Sequence, residues 1–521
     1  MTRPIKDTAR VLALAAICTA APAVHAGAQD AARVRAAVSA YRQAHDVEIL
    51  RDLAAFLAIP NLASDSVSIR RNARHIVEML ERRGARTQLL EVPGSPPAVY
   101  GELRTPGATR TVVFYAHYDG QPVDTSKWST PPWSPTLRAG PGGEIIPMPT
   151  QRGTVQGEWR INARSASDDK SPIVAFLSAL DALRTSNIAP SVNLKFFFEG
   201  EEEAGSAHLR ATLEKYRQLL GSDLWLFGDG PVHQSRRQQV VFGVRGVMGL
   251  ELTTYGPARP LHSGHYGNWA PNPLVLMANL VSSMRDNDGR ILIDRFYDDV
   301  QPISRSERDA IATIPAPDSG LRAELQLGAT EANNAALMER IMLPALNVRG
   351  ISGGNVGALA ANAIVPVAHA SIDFRLVPRE TPARIRELVE THVRKQGYHI
   401  VDHDPTAEER LTHPRVVKLE WDEGYPAQRA DMSLPVSRAV VRATEMGVGA
   451  RVIAIPTFGG SAGLYHFEEV LHAPLISLPI VNHDNNQHAA NENLRLQNLF
   501  DGMQVYAAII AHLGRIWADT P

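Results

Sequence analysis

Residues 192 to 206 read VNLKFFFEGEEEAGS, an apolar run that stops abruptly in Glu199, Glu201, Glu202 and Glu203. Carboxylates this close repel one another, and an apolar segment leading into them leaves little water to relieve the repulsion. Other ionisable residues hold equivalent places: TVVFYAHYD ends in His117 and Asp119, and LWLFGDG in Asp229. Two more groups lie just before helix patterns, Asp168 and Asp169 in RSASDDKSP, and His483 and His488 in VNHDNNQHAANE. In open α/β sheets, ligands bind beyond the carboxyl ends of the strands. Five such groups in one topological position therefore point to a shared site. Imidazoles and carboxylates together suit zinc, and also admit Mn²⁺ or Co²⁺.

The elements that would position these groups are legible from periodicity. Segments 111–117, 191–199 and 224–229 are unbroken apolar runs, as expected of strands buried on both faces of a parallel sheet. Helix patterns lie between them, such as SPIVAFLSALDALRTS with Pro172 in its first turn. After about residue 243, VMGLELTTYG and HASIDFRLVP alternate apolar and polar, the mark of strands with one solvated face. The expected fold is α/β: a catalytic domain with a mostly parallel central sheet flanked by helices, plus an inserted α+β domain with an antiparallel sheet. The boundaries read as 27–242 and 423–521 for the first domain and 243–422 for the insert, with a C-terminal helix from about Asn493.

At 521 residues the chain is too long for one ordinary core. A hydrophobic content of 44%, a charged content of 21% and a formal net charge of −2 describe a soluble globular protein with no call for a nucleic-acid partner. Residues 1–26 differ: a basic start, the apolar VLALAAICTAAPAV and the small-residue end VHA read as a signal peptide cut after Ala26. The expected location is secreted, in the periplasm, with no membrane span once the signal is removed. The only cysteine, Cys18, falls in that segment, so a metal in the mature chain must be held by His, Asp and Glu.

From about residue 45 onward the chain resembles the M20 metallopeptidases, which include carnosine-type dipeptidases, carboxypeptidase G and aminoacylases. The resemblance rests on AHYDGQPVD, SASDDKSP, EGEEEAGS, RGVMGLEL with LHSGHYG, DFRLVP and QHAANE. It implies two Zn²⁺ ions per chain and a lid domain that also forms a homodimer. It also implies His117, Asp168, Glu203, Asp229 and His488 as metal ligands, with Asp168 bridging. Asp119 would orient His117 from its other ring nitrogen. Glu202 would be the general base acting on a metal-bridging hydroxide. His262, in LHSG, would stabilise the oxyanion from across the dimer. Arg375, Asn362 and Ser461 would contact substrate, with Arg375 clamping a terminal carboxylate. The implied reaction is hydrolysis of dipeptides or short peptides. An aminoacylase-like removal of an acyl group from an N-acyl amino acid uses the same site, and a non-catalytic peptide-binding protein is the alternative of a different class.

Some positions depart from the family pattern or stay open. Ala163, Ser165 and Ser171 stand where the family commonly has glycines. Asp169 reads as a solvated helix-cap charge, and Glu199 and Glu201 as secondary or solvated. His483 rivals His488 as the ligand in its loop. The Pro- and Gly-rich stretch 128–159, carrying Trp128, Trp133 and Trp159, is longer than the usual link; it reads either as an entry-shaping segment or as surface decoration.

Overall fold

The computed structural model describes residues 21–315 and 318–519. Residues 1–20 of the predicted signal peptide lie outside the described residues, and from Ala21 the chain is in the helix Ala21–Leu57. No helix among the described residues is long and apolar enough to cross a membrane. The chain divides into two compact units, one comprising residues 1–240, 433–453 and 477–521, the other 241–432 and 454–476.

The first unit is built on an eight-stranded sheet. Its spatial order is Arg86–Leu90, Ala98–Leu103, Asn193–Glu199, Thr111–His117, Leu224–Phe227, Leu475–Ser477, Gln239–Val241 and Ile453–Ile455. The central strands Asn193–Glu199, Thr111–His117 and Leu224–Phe227 run parallel, while the first two strands pair antiparallel. Phe196, Phe197 and Phe198 are all buried, so this strand faces protein on both sides. On the face of Phe114 and Phe196, Lys170–Thr185 packs through Phe176, and Leu496–Asp519 packs on this helix and on Pro435–Val448. At the centre, Phe114 stacks on Phe176 at 4.3 Å and meets Tyr506 edge-on at 5.1 Å. Asn493–Arg495 is a strand rather than the start of the last helix, because it pairs antiparallel with Arg160–Asn162.

The second unit carries a seven-stranded sheet whose main path runs Ala345–Ser352, Val367–Leu376, Gly243–Tyr255, Val416–Trp421, His399–Val401. The long strand Gly243–Tyr255 is antiparallel to Val367–Leu376 and Val416–Trp421. Met248, Leu250 and Leu252 face a core shared with the helices Pro273–Met284 and Pro382–Lys395. Between them Glu251 is exposed, which is the alternation read from sequence. Both helices begin with proline after a capping side chain, Asn272 and Thr381, whose oxygens accept backbone N–H groups. Residues 454–476 fall with this unit, not with the first domain where the sequence reading put them. The cause is the strand Phe458–Ser461, which pairs parallel with Gly243–Tyr255.

Candidate metal centre

Three of the five groups leave adjacent parallel strands at the same end. His117 closes its strand opposite Glu199, and Tyr118 N donates to Glu199 O at 2.8 Å, so the two loops start side by side. On the other flank, Leu224–Phe227 delivers Asp229 two residues beyond its end. The antiparallel pair Arg160–Asn162 and Asn493–Arg495 brings in the remaining two. Asp168 lies six residues after the first strand, and His488 five before the second.

These loops converge on two overlapping groups of donor atoms. His117, Asp168 and Asp229 form one, and Asp168, Glu203 and His488 the other, with the donor atoms of each within 4.8 Å of one another. Asp168 belongs to both. Its Oδ1 is 2.8 Å from His117 Nε2, and its Oδ2 is 3.0 Å from His488 Nε2. His488 Nε2 also lies 3.2 Å from Glu203 Oε2. His483 belongs to neither group.

Around these donors sits a layer that fixes them. His117 is wholly buried, with Nδ1 3.3 Å from Asp119 Oδ1. Asp119 also accepts the backbone N–H groups of Glu202 and Glu203 at 3.1 and 3.0 Å, locking the glutamate turn to the histidine. Gln121 Nε2 donates to Glu203 Oε2 at 2.7 Å. Glu492, buried completely, accepts from Ser167 N and Asp168 N on one oxygen and from Ser165 N and Arg164 Nη1 on the other, all at 2.8 to 2.9 Å. Asn61 joins three segments: it donates to Tyr118 O and Ser165 Oγ and accepts from Trp133 Nε1. Glu492, Gln121 and Asn61 escape a reading by residue type. Only the downstream position of Glu492 in QHAANE and the place of Gln121 in HYDGQPVD gave a hint.

The electrostatics follow from crowding carboxylates out of water. Burial pushes Asp229 up to about 6 and Glu203 up to about 7, with the charge of Asp168 adding to both. Burial also lifts Glu202 well above the usual carboxylate range; the His117 charge opposes, and Asp229, Asp168 and Glu203 add to the rise. Asp168 goes the other way. Burial alone would raise it, but hydrogen bonds to His117 and His488 outweigh burial and hold it low. A divalent cation reverses this penalty by giving the anions a partner. The donor set, two imidazoles and three carboxylates with one carboxylate common to both groups, fits a pair of zinc-like ions.

The sequence reading needs correction at the remaining acids. Asp169 is fully buried, not a solvated cap: its Oδ2 accepts from His117 N at 3.3 Å, and burial pushes its carboxyl well up. Glu199 and Glu201 are buried too, so neither is solvated. Glu199 accepts from Tyr115 Oη at 2.8 Å; Glu201 accepts from His208 N at 2.8 Å and contacts its Nδ1 at 2.9 Å, where the helix Leu209–Lys215 begins. Ser165 adopts φ 62°, the left-handed conformation that glycine takes freely, and its Oγ is held by Asn61. The stretch 128–159 is more than decoration. Its strands Thr136–Arg138 and Ile145–Ile146 extend the sheet of Arg160–Asn162 and Asn493–Arg495. Ser129 donates to Asn491 Oδ1, and the Arg164 guanidinium lies 5.1 Å from the Trp128 ring centroid.

The other candidates lie in the second unit, in two places. His262, in the short strand Leu261–His262, is exposed and accepts from Gly264 N through Nδ1 at 3.1 Å. Asn362 is its neighbour, since Ser263 N donates to Asn362 O at 2.8 Å. Arg375 and Ser461 meet directly: Arg375 Nη1 donates to Ser461 Oγ at 2.9 Å, and Nε to Asp373 Oδ2 at 3.0 Å.

Comparison with known proteins agrees with this geometry. Residues 113–512 match the sequence profile of peptidase family M20/M25/M40. The Cys-Gly metallodipeptidase dug1 of Schizosaccharomyces pombe is 26% identical over 428 residues, covering 81% of this chain and 83% of its own. The human Beta-Ala-His dipeptidase is 24% identical over 500 residues, 91% of this chain and 92% of its own. Among solved structures, the M20 family metallo-carboxypeptidase Sso-CP2 from Sulfolobus solfataricus matches with a TM-score of 0.70 at 27% identity, covering 90% of this chain and 99% of its own. With its histidine and acidic motifs gathered at the ends of parallel strands, the chain belongs to peptidase family M20/M25/M40 and is a metallopeptidase.

Proposed function

We propose that the protein is a dinuclear zinc exopeptidase that hydrolyses dipeptides or short peptides. The observation that carries this reading is the pair of donor groups sharing Asp168, which suits two ions bridged by one carboxylate. His117 and Asp229 would hold one ion and Glu203 and His488 the other. When bound, such ions polarise the peptide carbonyl and lower the pKa of an attacking water from 15.7 towards about 7. Asp119 fixes the His117 ring and, through two backbone bonds, the turn that carries Glu202. Glu202 takes the proton of the attacking water and delivers it to the leaving amine. Arg375 holds a substrate carboxylate, Asn362 and Ser461 add polar contacts, and His262 stabilises the oxyanion. The dipeptidase names of the two relatives support dipeptides as the substrate class.

We infer further that the chain is exported, on the strength of its basic, apolar and small-residue leader. We also infer that it forms a homodimer through the second unit. Ala345–Ser352 is an edge strand there, and Ile351, Val356, Leu359 and Trp269 are exposed apolar side chains on the same unit.

The test is a panel of dipeptides and N-acyl amino acids, each with and without chelator. Chelator-sensitive release of amino acids from dipeptides supports the peptidase. Release of acid only from N-acyl amino acids makes it a deacylase on the same site. Turnover of neither removes the reading.

A further inference from the structure

Arg245 is a buried cation that forms no ion pair among the described residues. Only 8% of its surface is exposed. Its Nη2 donates to Leu343 O at 2.8 Å, whereas its Nε has no hydrogen-bond partner among the described residues. Burial and the nearby charge of Arg375 lower its pKa to about 10, which still leaves it charged near neutrality. Holding a guanidinium out of water in this way is expensive unless an anion joins it.

The surroundings say where that anion would sit. Arg245 stands opposite Ser461, and Val247, two residues on and so on the same sheet face, stands opposite Arg375. Arg375 therefore projects from the same face, and its Nη1 reaches Ser461. The acids nearby are Asp373, already shared by Arg375 Nε and Asn347, and Glu380, whose carboxylate accepts from Val377 N and which burial pushes up against the Arg245 charge. Both acids are thus engaged elsewhere, and neither forms an ion pair with Arg245 among the described residues.

We propose that Arg245 and Arg375 form a paired-guanidinium site for one carboxylate of the substrate, and that Arg245 sets the preference for a free carboxylate over an amide. Planar forked donors are suited to this, since each presents parallel N–H groups to the two oxygens. The inference rests on the peptidase reading above.

The test compares one dipeptide with its C-terminal amide in the wild type, Arg245→Met and Arg245→Lys. The acid-to-amide ratio of kcat/KM should fall about tenfold or more in Arg245→Met, through a raised KM for the acid, and recover in part in Arg245→Lys. A folded Arg245→Met protein with an unchanged ratio overturns the proposal. Should that variant not fold, Arg245→Lys decides: a reduced ratio supports the site and an unchanged one overturns it. Wild-type protein that cleaves neither peptide removes the activity reading instead. In that case calorimetric binding of N-acetylglycine, weaker in Arg245→Lys than in wild type if the site is real and equal if it is not, still settles the carboxylate site.

Discussion

Glu202 and Glu203 are neighbours in the chain, yet their surroundings differ. The Glu203 carboxylate is met by Gln121 and His488, as a held ligand would be, while Glu202 is fixed through its backbone N–H on Asp119. Glu202→Gln should lower kcat by about two to four orders of magnitude with metal content unchanged. Near-normal turnover, checked by steady-state kinetics beside metal analysis, contradicts the role. Glu492→Gln should act differently, because it removes the charge that gathers three backbone N–H groups and Arg164 around the Asp168 loop. Metal affinity should weaken by about 10- to 100-fold, read by competition with a chromophoric chelator. The residue types at His117, Asp168 and Glu203 were legible as candidate ligands, and the fold brings them into the two donor groups. Glu492 was not legible, since its importance lies in which backbone groups it collects, and that appears only once the loop is folded.

At the scale of elements, buried strands and helices were readable from periodicity, and the parallel triplet of strands is where 111–117, 191–199 and 224–229 put it. Short pairings such as 458–461 with 243–255 and 493–495 with 160–162 were not, because three or four residues carry no periodic signal. The stretch 128–159, read either as an entry-shaping segment or as surface decoration, carries two short strands and contacts Asn491, Arg164 and Asn61 beside the loops of Asp168 and His488. Trp133→Phe, which deletes the bond to Asn61, should cost about 1 kcal/mol in urea unfolding, and a stability equal to wild type contradicts a stabilising role for that bond. In the second unit, burial raises Glu380 from 4.5 to about 8, against the Val377 N–H and the Arg245 charge. The folded protein binds this proton more tightly than the unfolded chain. Its stabilising effect is therefore complete below about pH 4.5 and is lost as pH rises through about 8. Glu380→Gln should flatten that decline, by up to a few kcal/mol at the alkaline end. Identical pH slopes for variant and wild type in denaturant unfolding contradict the assignment.

For the whole molecule, the two-domain division was visible in the change from apolar runs to alternating strands near residue 243, and the second unit begins at residue 241. An edge strand and exposed apolar side chains, on which the proposed homodimer rests, look unremarkable in a sequence. If His262 serves the partner's site, dimers of Glu202→Gln and dimers of His262→Ala, each inactive, should regain partial activity after subunit exchange. Verified heterodimers that stay inactive contradict a shared site. The account stands most directly on metal stoichiometry coupled to peptide hydrolysis. Metal-stripped protein titrated with zinc should regain dipeptide hydrolysis with a break at about two equivalents per chain. Full dipeptide hydrolysis by metal-free protein, or a break at one equivalent with no further gain, would contradict it.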